Sequence, residues 1–359
     1  MKEKPSRSLQ AFSGEIVRWQ ASHGRNSLPW QNTRDPYRVW LSEIMLQQTQ
    51  VATVLDYYAR FLQRFPTVKE LAAASEDEVL GLWSGLGYYS RARNLHKCAQ
   101  DVMALHGGRF PGTAEQLQTL PGIGRSTAAA IASFCFGERV AILDGNVKRV
   151  LTRVLGFSAD LAQSANERAL WAQAVALLPD QDLPDTMPRY TQGLMDLGAT
   201  ICAGRQPQCL LCPVQKLCRG FAEGNPCTYP VKTRKLKRTA QALSLLWARK
   251  PDGSVWLEKR SSKGIWGGLY CLPVFESDDA LTADLPPSLR ERLDPLPAFV
   301  HVLTHKDLHL SPWIAGFRAE QSMPKAVVSP ERPGAWFGPA EWSALGLPAP
   351  IRKLLEQDA

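Results

Sequence analysis

Apolar residues recur at helical spacing from Leu9 to about Arg219. In the first stripe Phe12, Ile16 and Trp19 occupy positions i, i+4 and i+7, which places them on one face of a helix. Glycine and proline separate successive stripes and mark the joints between helices. The pattern therefore predicts that the first part of the chain is all-α. Further helical stretches are predicted at 51–62, 89–106, 126–136, 147–155 and 167–178.

The pattern changes after about Phe221, where short strand-like runs replace the long stripes. Two apolar runs flank Pro251-Asp252-Gly253, a combination typical of a β-hairpin turn. Because helical patterns are interspersed with these runs, we expect an α+β second part. The other predicted strands lie at 270–275, 299–303 and 313–317, and the predicted helices at 287–293 and 350–356.

A basic run, VKTRKLKR at 231–238, lies between the two patterns and contains no acidic residue. We interpret it as an interdomain linker, and a solvated charge run or a phosphate-contacting segment fits equally well. At about 150 residues per domain, a chain of this length suggests two or three domains. We expect a helical domain at 1–225, a linker at 226–240 and an α+β domain at 241–359.

Composition narrows the class of protein. The 359 residues include 42 Lys plus Arg against 34 Asp plus Glu, a formal net charge of +8. With 45% hydrophobic and 21% charged residues the chain should fold. No apolar run approaches the roughly 18 residues of a membrane span, and the N-terminus lacks a signal-peptide core. We therefore expect a monomeric cytoplasmic protein without a membrane partner, for which a polyanion is the natural ligand.

Four of the eight cysteines are clustered, with the spacing C-x6-C-x2-C-x5-C. Thiols this close in a reducing compartment more often bind metal than form disulfides. The spacing suits either a [4Fe-4S] cluster or a tetrahedral zinc ion. The candidate ligands are Cys202, Cys209, Cys212 and Cys218. We interpret the scattered cysteines as small buried hydrophobic residues; these are Cys98, Cys135, Cys227 and Cys271.

A glycine-containing hairpin, LPGIGRSTAAA at 120–130, joins two helical patterns. Gly122 and Gly124 allow backbone conformations and a close approach that a Cβ would block. The first amides of the next helix form a positive end suited to an anion. In a basic protein this favours a DNA phosphate over a plain helix–helix turn.

Two carboxylates stand out among apolar neighbours. Glu43 lies on a predicted helix and shares its face with Val39 and Leu46. Asp144 immediately precedes a helical pattern, where aspartate is a favoured N-cap. The structural alternative for Glu43 is a residue at the rim of the core whose carboxylate reaches water. The alternative for Asp144 is a cap that only holds the helix. A cap can also present its carboxylate to a site, so the two roles of Asp144 are compatible.

The segment around Glu43, the hairpin, Asp144 and the cysteine cluster, in this order, resemble the helix-hairpin-helix DNA glycosylases, most closely the MutY-type adenine DNA glycosylases. The resemblance runs from roughly Arg25 to Lys353. It implies a [4Fe-4S] cluster and excision of adenine mispaired with 8-oxoguanine or guanine in double-stranded DNA. Glu43 matches the general acid, and Asp144 matches the residue that stabilises the cationic sugar, with a covalent sugar intermediate as one route.

The same resemblance assigns further residues. Gln48 and Tyr88 match residues that wedge into the duplex near the lesion. Endonuclease III, a relative, has its Schiff-base lysine where this chain has Ser126, and a hydroxyl cannot form an imine. We therefore expect a monofunctional glycosylase; Lys148 lies close to Asp144 in the sequence, which leaves weak lyase activity as an open alternative. The positions that match the adenine pocket or its catalytic edge are Leu28, Trp30, Gln31, Ser126, Asn146 and Gln192.

The second part of the chain resembles the Nudix-like C-terminal domain of the family, which reads 8-oxoguanine. We find no acidic Nudix box between Glu276 and Asp294, so pyrophosphate hydrolysis is not expected. Where the family commonly has Phe-Ser-His, this chain has Leu303-Thr304-His305, which keeps a hydroxyl and the imidazole donors but not the aromatic wedge. His301, His305 and His309 have helical spacing, but a strand-and-turn setting argues against a metal site.

One alternative belongs to a different class. A non-catalytic DNA-binding or redox-sensing iron–sulfur protein would also need the basic charge, the hairpin and the cysteines. The pair of Glu43 and Asp144 disfavours this interpretation, because binding alone requires neither carboxylate.

Overall fold

The structure is a computed structural model that describes residues 7–233, 237–324, 327 and 333–357. Residues 234–236 of the predicted linker therefore lie outside the described part of the chain. Two compact units are present. The first comprises Met1–Ala72 and Lys97–Lys235, and the second comprises Ala73–His96 and Leu236–Ala359. Residues 73–96 thus group with the second unit, although they follow a helical pattern in the sequence.

Helices make up the regular structure of the first unit within the described residues. The helices of the whole chain are α1 (Arg7–His23), α2 (Pro36–Leu46), α3 (Val51–Arg64), α4 (Val68–Ala73), α5 (Glu76–Trp83), α6 (Ser90–His106), α7 (Ala114–Leu117), α8 (Arg125–Phe136), α9 (Gly145–Leu155), α10 (Ser164–Ala176), α11 (Leu183–Thr200), α12 (Arg219–Ala222), α13 (Asp278–Asp284), α14 (Pro287–Arg290), α15 (Pro339–Ala344) and α16 (Ala349–Glu356). The predicted helices at 89–106, 126–136, 147–155 and 167–178 are confirmed, with ends shifted by at most three residues.

Helix α11 runs through the core of the first unit and packs against α1, α8 and α9. Gly193 lets α1 come close, because a Cβ there would lie 2.7 Å from the Cγ2 atom of Ile16. Gly198 does the same for the start of α9, where a Cβ would lie 2.7 Å from the Cβ of Asn146. The contact at Gly193 thus allows the close packing of α1 on α11, and the contact at Gly198 allows that of the start of α9.

The second unit is built on a mixed sheet that has eight strands within the described residues. They are β1 (Thr239–Arg249), β2 (Val255–Lys259), β3 (Tyr270–Cys271), β4 (Val274–Phe275), β5 (Leu293–Pro295), β6 (Phe299–Val302), β7 (Lys306–Gly316) and β8 (Gly334–Phe337). The main path is β3-β2-β1-β7-β5, with β4 on β1, β6 on β7 and β8 on β2. The hairpin predicted around Asp252 is confirmed as antiparallel β1 and β2.

Strands β1 and β7 form the centre of this sheet and pair in parallel from Thr239 opposite Lys306 to Arg249 opposite Gly316. The apolar run in β1 is buried on both faces, as expected for a central strand. On one face Leu245 packs with Ile351 of α16, and on the other Leu246 packs with Leu281 of α13. The predicted α+β architecture is therefore confirmed.

The segment 73–96 is fixed within the second unit by close backbone contacts. A Cβ at Gly81 of α5 would lie 2.2 Å from the carbonyl oxygen of Ala344, so only glycine allows this approach of α5 to α15. The hydroxyl of Tyr89 donates to the carbonyl of Leu347 at 2.9 Å. Among the described residues, none of the helices has the length and apolarity required to cross a membrane.

Candidate active site

An open cavity in the first unit contains both candidate catalytic carboxylates. It encloses about 2100 Å³ including its mouth. Eight of the residues singled out from the sequence line it: Leu28, Trp30, Glu43, Gln48, Ser126, Asp144, Asn146 and Gln192. Gln31 lines an adjoining cavity that shares Trp30, Glu43 and Gln192 with the first. The fold thus gathers side chains that are spread over more than 160 positions of the chain.

Glu43 is presented by α2, a short helix with a strongly apolar surface. Asp35 caps this helix by accepting a hydrogen bond from the Tyr37 N–H at 3.0 Å. The neighbouring Ile44 and Met45 are buried and anchor the helix, while Glu43 forms part of the cavity wall. Burial, and secondly the charge of Asp144, raises the pKa of Glu43 to about 8. The carboxyl is therefore mostly protonated at pH 7 and can donate a proton.

Asp144 is both an N-cap and a cavity residue. Its Oδ1 accepts a hydrogen bond from the Val147 N–H at 2.7 Å at the start of α9. Burial raises the pKa of Asp144, and the hydrogen bond from Val147 opposes part of that rise. The hydroxyl of Ser126 accepts from the Leu143 N–H at 3.0 Å and so ties α8 to the residue preceding Asp144.

Two amide side chains bring hydrogen-bonding groups to the cavities. The Oε1 of Gln31 accepts from the Leu28 N–H at 3.2 Å, and its Nε2 is buried without a partner among the described residues. Gln192, on α11, donates through Nε2 to Asp196 at 3.0 Å. Trp30 is 6% exposed and meets the Tyr58 ring edge-on, so it serves both core packing and the cavity wall.

Cationic side chains that the sequence analysis did not assign to the pocket also lie here. Arg25 and Arg149 line the cavity. Arg149 donates to the Asn146 Oδ1 at 2.8 Å and to the Cys202 carbonyl at 2.8 Å. Lys148 forms an ion pair with Glu167 at 2.5 Å. No sequence motif indicated Arg25 or Arg149, because the local sequence around an arginine does not show whether its side chain lines a cavity.

The predicted phosphate-binding hairpin lies at the start of α8. Gly122 has φ +75°, the left-handed region that favours glycine, so its conformation is as expected. Gly124 is the N-cap of α8 with φ −78°, which any residue can adopt. A Cβ at Gly124 would meet nothing within 4 Å, so its small size leaves room for a ligand and is not needed for internal packing.

Gln48, which is predicted to wedge into the duplex, is exposed and follows α2 in a left-handed conformation, with φ +57°. Such a conformation is unfavourable for a residue with a side chain and clusters at functional sites. Tyr88, in the second unit, has φ +48°. The turn that contains Tyr88 is held by the Arg91 guanidinium, which donates to the carbonyls of Leu86 and Gly87 at 3.2 Å.

Tyr88 and the predicted lesion-reading turn meet within the second unit. The hydroxyls of Tyr88 and Thr304 are 2.6 Å apart. His305 is exposed beside Thr304, and Leu303 packs against the core of this unit. The three histidines of interest lie on strands β6 and β7 and the turn between them, which confirms the strand-and-turn setting.

The four clustered cysteines surround one cavity in the first unit, of about 370 Å³. Two 3₁₀ turns, Cys209–Leu211 and Gln215–Leu217, shape the segment. Arg153 is 1% exposed and donates to the Cys202 Sγ at 3.3 Å and to the Ala203 carbonyl at 2.7 Å. Among the described residues, no three cysteine, histidine or carboxylate side chains are placed to hold a metal ion.

All eight cysteines fall in the described part of the chain, and none of them forms a disulfide bond. Cys98 and Cys271 are buried, as predicted for small hydrophobic residues, and Cys135 is half-buried. Cys227 is exposed, so the prediction was wrong there. Its thiol donates to the Arg205 carbonyl at 3.5 Å, a polar contact that a position near the surface allows.

Sequence and structure comparisons agree with this architecture. Residues 41–174 match the HhH-GPD superfamily base excision DNA repair protein family, and residues 244–357 match the NUDIX domain family. The adenine DNA glycosylase of Buchnera aphidicola subsp. Schizaphis graminum is 35% identical over 97% of this chain and 99% of its own length. The human adenine DNA glycosylase is 46% identical over 59% of this chain and 39% of its own length.

A solved thermostable thymine-DNA glycosylase is similar over 60% of this chain and 98% of its own length. Its sequence identity is 30% and its TM-score is 0.53. The fold is therefore that of a helix-hairpin-helix DNA glycosylase joined to a Nudix-like domain. Because similarity to the Buchnera protein extends over nearly the full length of both chains, this chain belongs to the adenine DNA glycosylase family.

Proposed function

We propose that this chain excises adenine mispaired with 8-oxoguanine or guanine from double-stranded DNA, by hydrolysis of the N-glycosidic bond, as a step of base excision repair. The observation that carries the proposal is the pair of Glu43 and Asp144 in one cavity, with the pKa of Glu43 raised to about 8. The names of the full-length relatives support the choice of adenine.

The two carboxyl groups suit two requirements of the reaction. Adenine leaves readily only when it is protonated, and Glu43 retains a proton at neutral pH to donate to the base. Departure of the base leaves positive charge on the sugar, which an ionised Asp144 would stabilise. Water then adds to the cationic sugar carbon, and Glu43, deprotonated when it protonated the base, accepts a proton from that water. Helix capping holds Asp144 in place for this role.

Adenine must leave the stack before this chemistry, at a cost of a few kcal/mol. We propose that Gln48 and Tyr88 enter the duplex near the lesion pair, since both are exposed in left-handed turns. The buried Nε2 of Gln31 offers a donor to a ring nitrogen of the extruded base. The hairpin of Gly122 and Gly124 would grip a phosphate without regard to sequence.

The second unit is proposed to read the opposite base. The hydroxyls of Tyr88 and Thr304 form one hydrogen-bonded pair, and the exposed imidazole of His305 lies next to it in the chain. Together they would supply donors and acceptors to 8-oxoguanine. Because Leu303 packs against the core, we propose that Tyr88 is the aromatic side chain available for stacking here.

We propose that Cys202, Cys209, Cys212 and Cys218 hold a [4Fe-4S] cluster. A single zinc ion draws four sulfur atoms to about 2.3 Å from one centre, whereas a cluster binds each thiolate on a different iron. Thiols placed around a cavity fit the larger group. When bound, the cluster would crosslink the segment, and the buried Arg153 would compensate its negative charge.

Metal analysis of the purified protein tests the cluster. Four iron and four sulfide ions per chain are expected, and one zinc ion without iron would contradict the proposal. Cys212→Ser should lose iron, whereas Cys227→Ser should retain it, because Cys227 is not one of the four.

We further propose that the enzyme is monofunctional and acts as a monomer in the cytoplasm, at the nucleoid if the organism is bacterial. Ser126 cannot form the imine that a lyase reaction needs. We also propose the domain boundaries predicted from the sequence, 1–225 for the catalytic domain, 226–240 for the linker and 241–359 for lesion recognition, with residues 73–96 packed as part of the second unit.

Release of adenine from an 8-oxoguanine:adenine duplex is the decisive experiment. The wild-type protein should release adenine from this duplex and from a guanine:adenine duplex, but not from a thymine:adenine duplex. Glu43→Gln should bind the mispaired duplex without releasing the base, while Glu15→Gln, at an exposed carboxylate of the same unit, should be unchanged. Binding without release by the wild-type protein would instead indicate a non-catalytic DNA-binding protein.

A further inference from the structure

Asp196 is a fully buried carboxylate that none of the assignments above uses. It lies on α11 with 0% exposure, and its side chain accepts three hydrogen bonds. The Arg25 main-chain N–H donates to Oδ2 at 3.0 Å, and the Arg25 Nε donates to Oδ1 at 2.6 Å. The third donor is the Gln192 Nε2, 3.0 Å from Oδ1. A buried charge is tolerated only when it is paired and hydrogen-bonded in this way.

The arrangement determines which end of the Gln192 amide faces Asp196. A carboxylate paired with a guanidinium can only accept hydrogen bonds, so the NH₂ group of the amide must point towards it. The assignment of the amide nitrogen and oxygen therefore follows from the chemistry of the partner. The oxygen of Gln192 is left as the group available to a ligand, and Gln192 lines the cavity that contains Glu43 and Asp144.

We propose that Arg25 and Asp196 form a positioning pair that fixes the Gln192 amide, so that its oxygen accepts a hydrogen bond from the 6-amino group of extruded adenine. This inference rests on the proposed function. Adenine carries a donor at position 6, whereas guanine carries an oxygen acceptor there. An acceptor held in place at this point favours adenine and repels guanine, because two facing acceptors leave both unsatisfied. The pair thus sets base specificity through Gln192, and Asp196 itself does not contact the base.

The test compares two duplexes that differ only in the 6-amino group. One carries adenine and the other carries purine, which lacks that group, each opposite 8-oxoguanine. Single-turnover excision rates give an adenine-to-purine ratio for each variant, and the intrinsic difference between the leaving groups cancels between variants. In Asp196→Asn the amide of residue 196 can donate as well as accept, so the orientation of Gln192 is no longer fixed. We expect the ratio to fall about tenfold, the effect of losing one hydrogen bond.

A second pair of variants keeps the test decisive if Asp196→Asn fails to fold. Arg25 is one-third exposed, so its replacement is better tolerated. Arg25→Met removes the guanidinium that holds the Asp196 carboxylate through Oδ1, so the carboxylate no longer fixes the orientation of the Gln192 amide. The ratio should fall again, whereas Arg25→Lys, which keeps the charge, should restore most of it.

Combining each variant with Gln192→Met distinguishes a positioning role of Arg25 and Asp196 from a general structural role. In the Gln192→Met background, which has no amide to orient, adding Asp196→Asn or Arg25→Met should leave the ratio unchanged. Equal losses of adenine and purine excision, with the ratio of the wild-type protein retained, would overturn the inference while leaving the proposed function intact. Failure of the wild-type protein to excise adenine would instead overturn the proposed function, and the inference with it.

Discussion

Replacing Glu43 by glutamine removes one ionisable proton and nearly preserves the shape of the side chain. Burial raises the pKa of Glu43 from 4.5 to about 8, so the folded protein holds a proton that the unfolded chain has lost at pH 7. For a carboxyl whose folded pKa is raised, the contribution to stability is most favourable below the unfolded pKa. It falls as pH rises from about 4.5 to about 8.

The size of the effect follows from this difference in pKa. Between pH 4.5 and pH 7 each pH unit contributes about 1.4 kcal/mol, a total of about 3 kcal/mol. Water at the cavity mouth screens part of the charge, so we expect Glu43→Gln to raise the free energy of unfolding at pH 7 by about 2 to 3 kcal/mol. At pH 5 the gain should be below about 1 kcal/mol, because this pH lies only about half a unit above the pKa of Glu43 in the unfolded chain.

Urea unfolding followed by far-ultraviolet circular dichroism, at pH 5 and pH 7, measures this difference. Glu15→Gln, at an exposed carboxylate, is the control and should change the free energy by less than about 0.5 kcal/mol at either pH. The same Glu43→Gln protein should excise adenine about 10² to 10⁴ times more slowly, and wild-type excision should decline as pH rises through about 8. A stability change that is equal at both pH values would refute the argument that Glu43 is protonated in the folded protein.

Three further predictions concern other parts of the molecule. Asp144→Asn should abolish excision yet change thermal stability little, because asparagine caps helices as well as aspartate; Asp144→Ala should also lose about 1 kcal/mol, and equal stabilities of the two variants would contradict the capping role. Glu167→Gln should free Lys148 and increase borohydride trapping of DNA severalfold; an increase that persists when Lys148 is also replaced by methionine would exclude that lysine as the source. A double-mutant cycle with Tyr88→Phe and Thr304→Val, measured as affinity for 8-oxoguanine:adenine DNA, should give a coupling of about 0.5 to 1.5 kcal/mol, whereas additive effects would show that the hydroxyl pair does not act as a unit.

Local features of the fold could be predicted from the sequence. Helical spacing identified α6, α8, α9 and α10 to within a few residues, and the turn at Pro251-Asp252-Gly253 identified the β1–β2 hairpin. These features depend on neighbours a few positions apart, which a sequence pattern records directly. The strand predicted at 270–275 is instead two short strands, β3 and β4, separated by Leu272 and Pro273, and each pairs with a different neighbour, β3 with β2 and β4 with β1.

Long-range pairing could not be predicted in the same way. A strand pattern shows which residues alternate, but it does not show that β1 pairs in parallel with β7, whose paired residues lie 67 positions further along the chain. The grouping of residues 73–96 with the second unit depends on the approach of α5 to α15. Gly81 allows this approach, and the hydrophobic periodicity of the sequence does not predict it.

The sequence by itself indicated the candidate acids and the cysteine segment, because each stands in a distinctive local string, whereas the candidate residues of the base pocket came from the resemblance to a known family. Only the tertiary structure placed Glu43 and Asp144 in one cavity and joined Arg25 to Asp196, 171 positions away. The physical reason is that the raised pKa of Glu43 and the orientation of the Gln192 amide are set by burial and by partners from distant elements. Such properties belong to the packed chain and not to any segment of it.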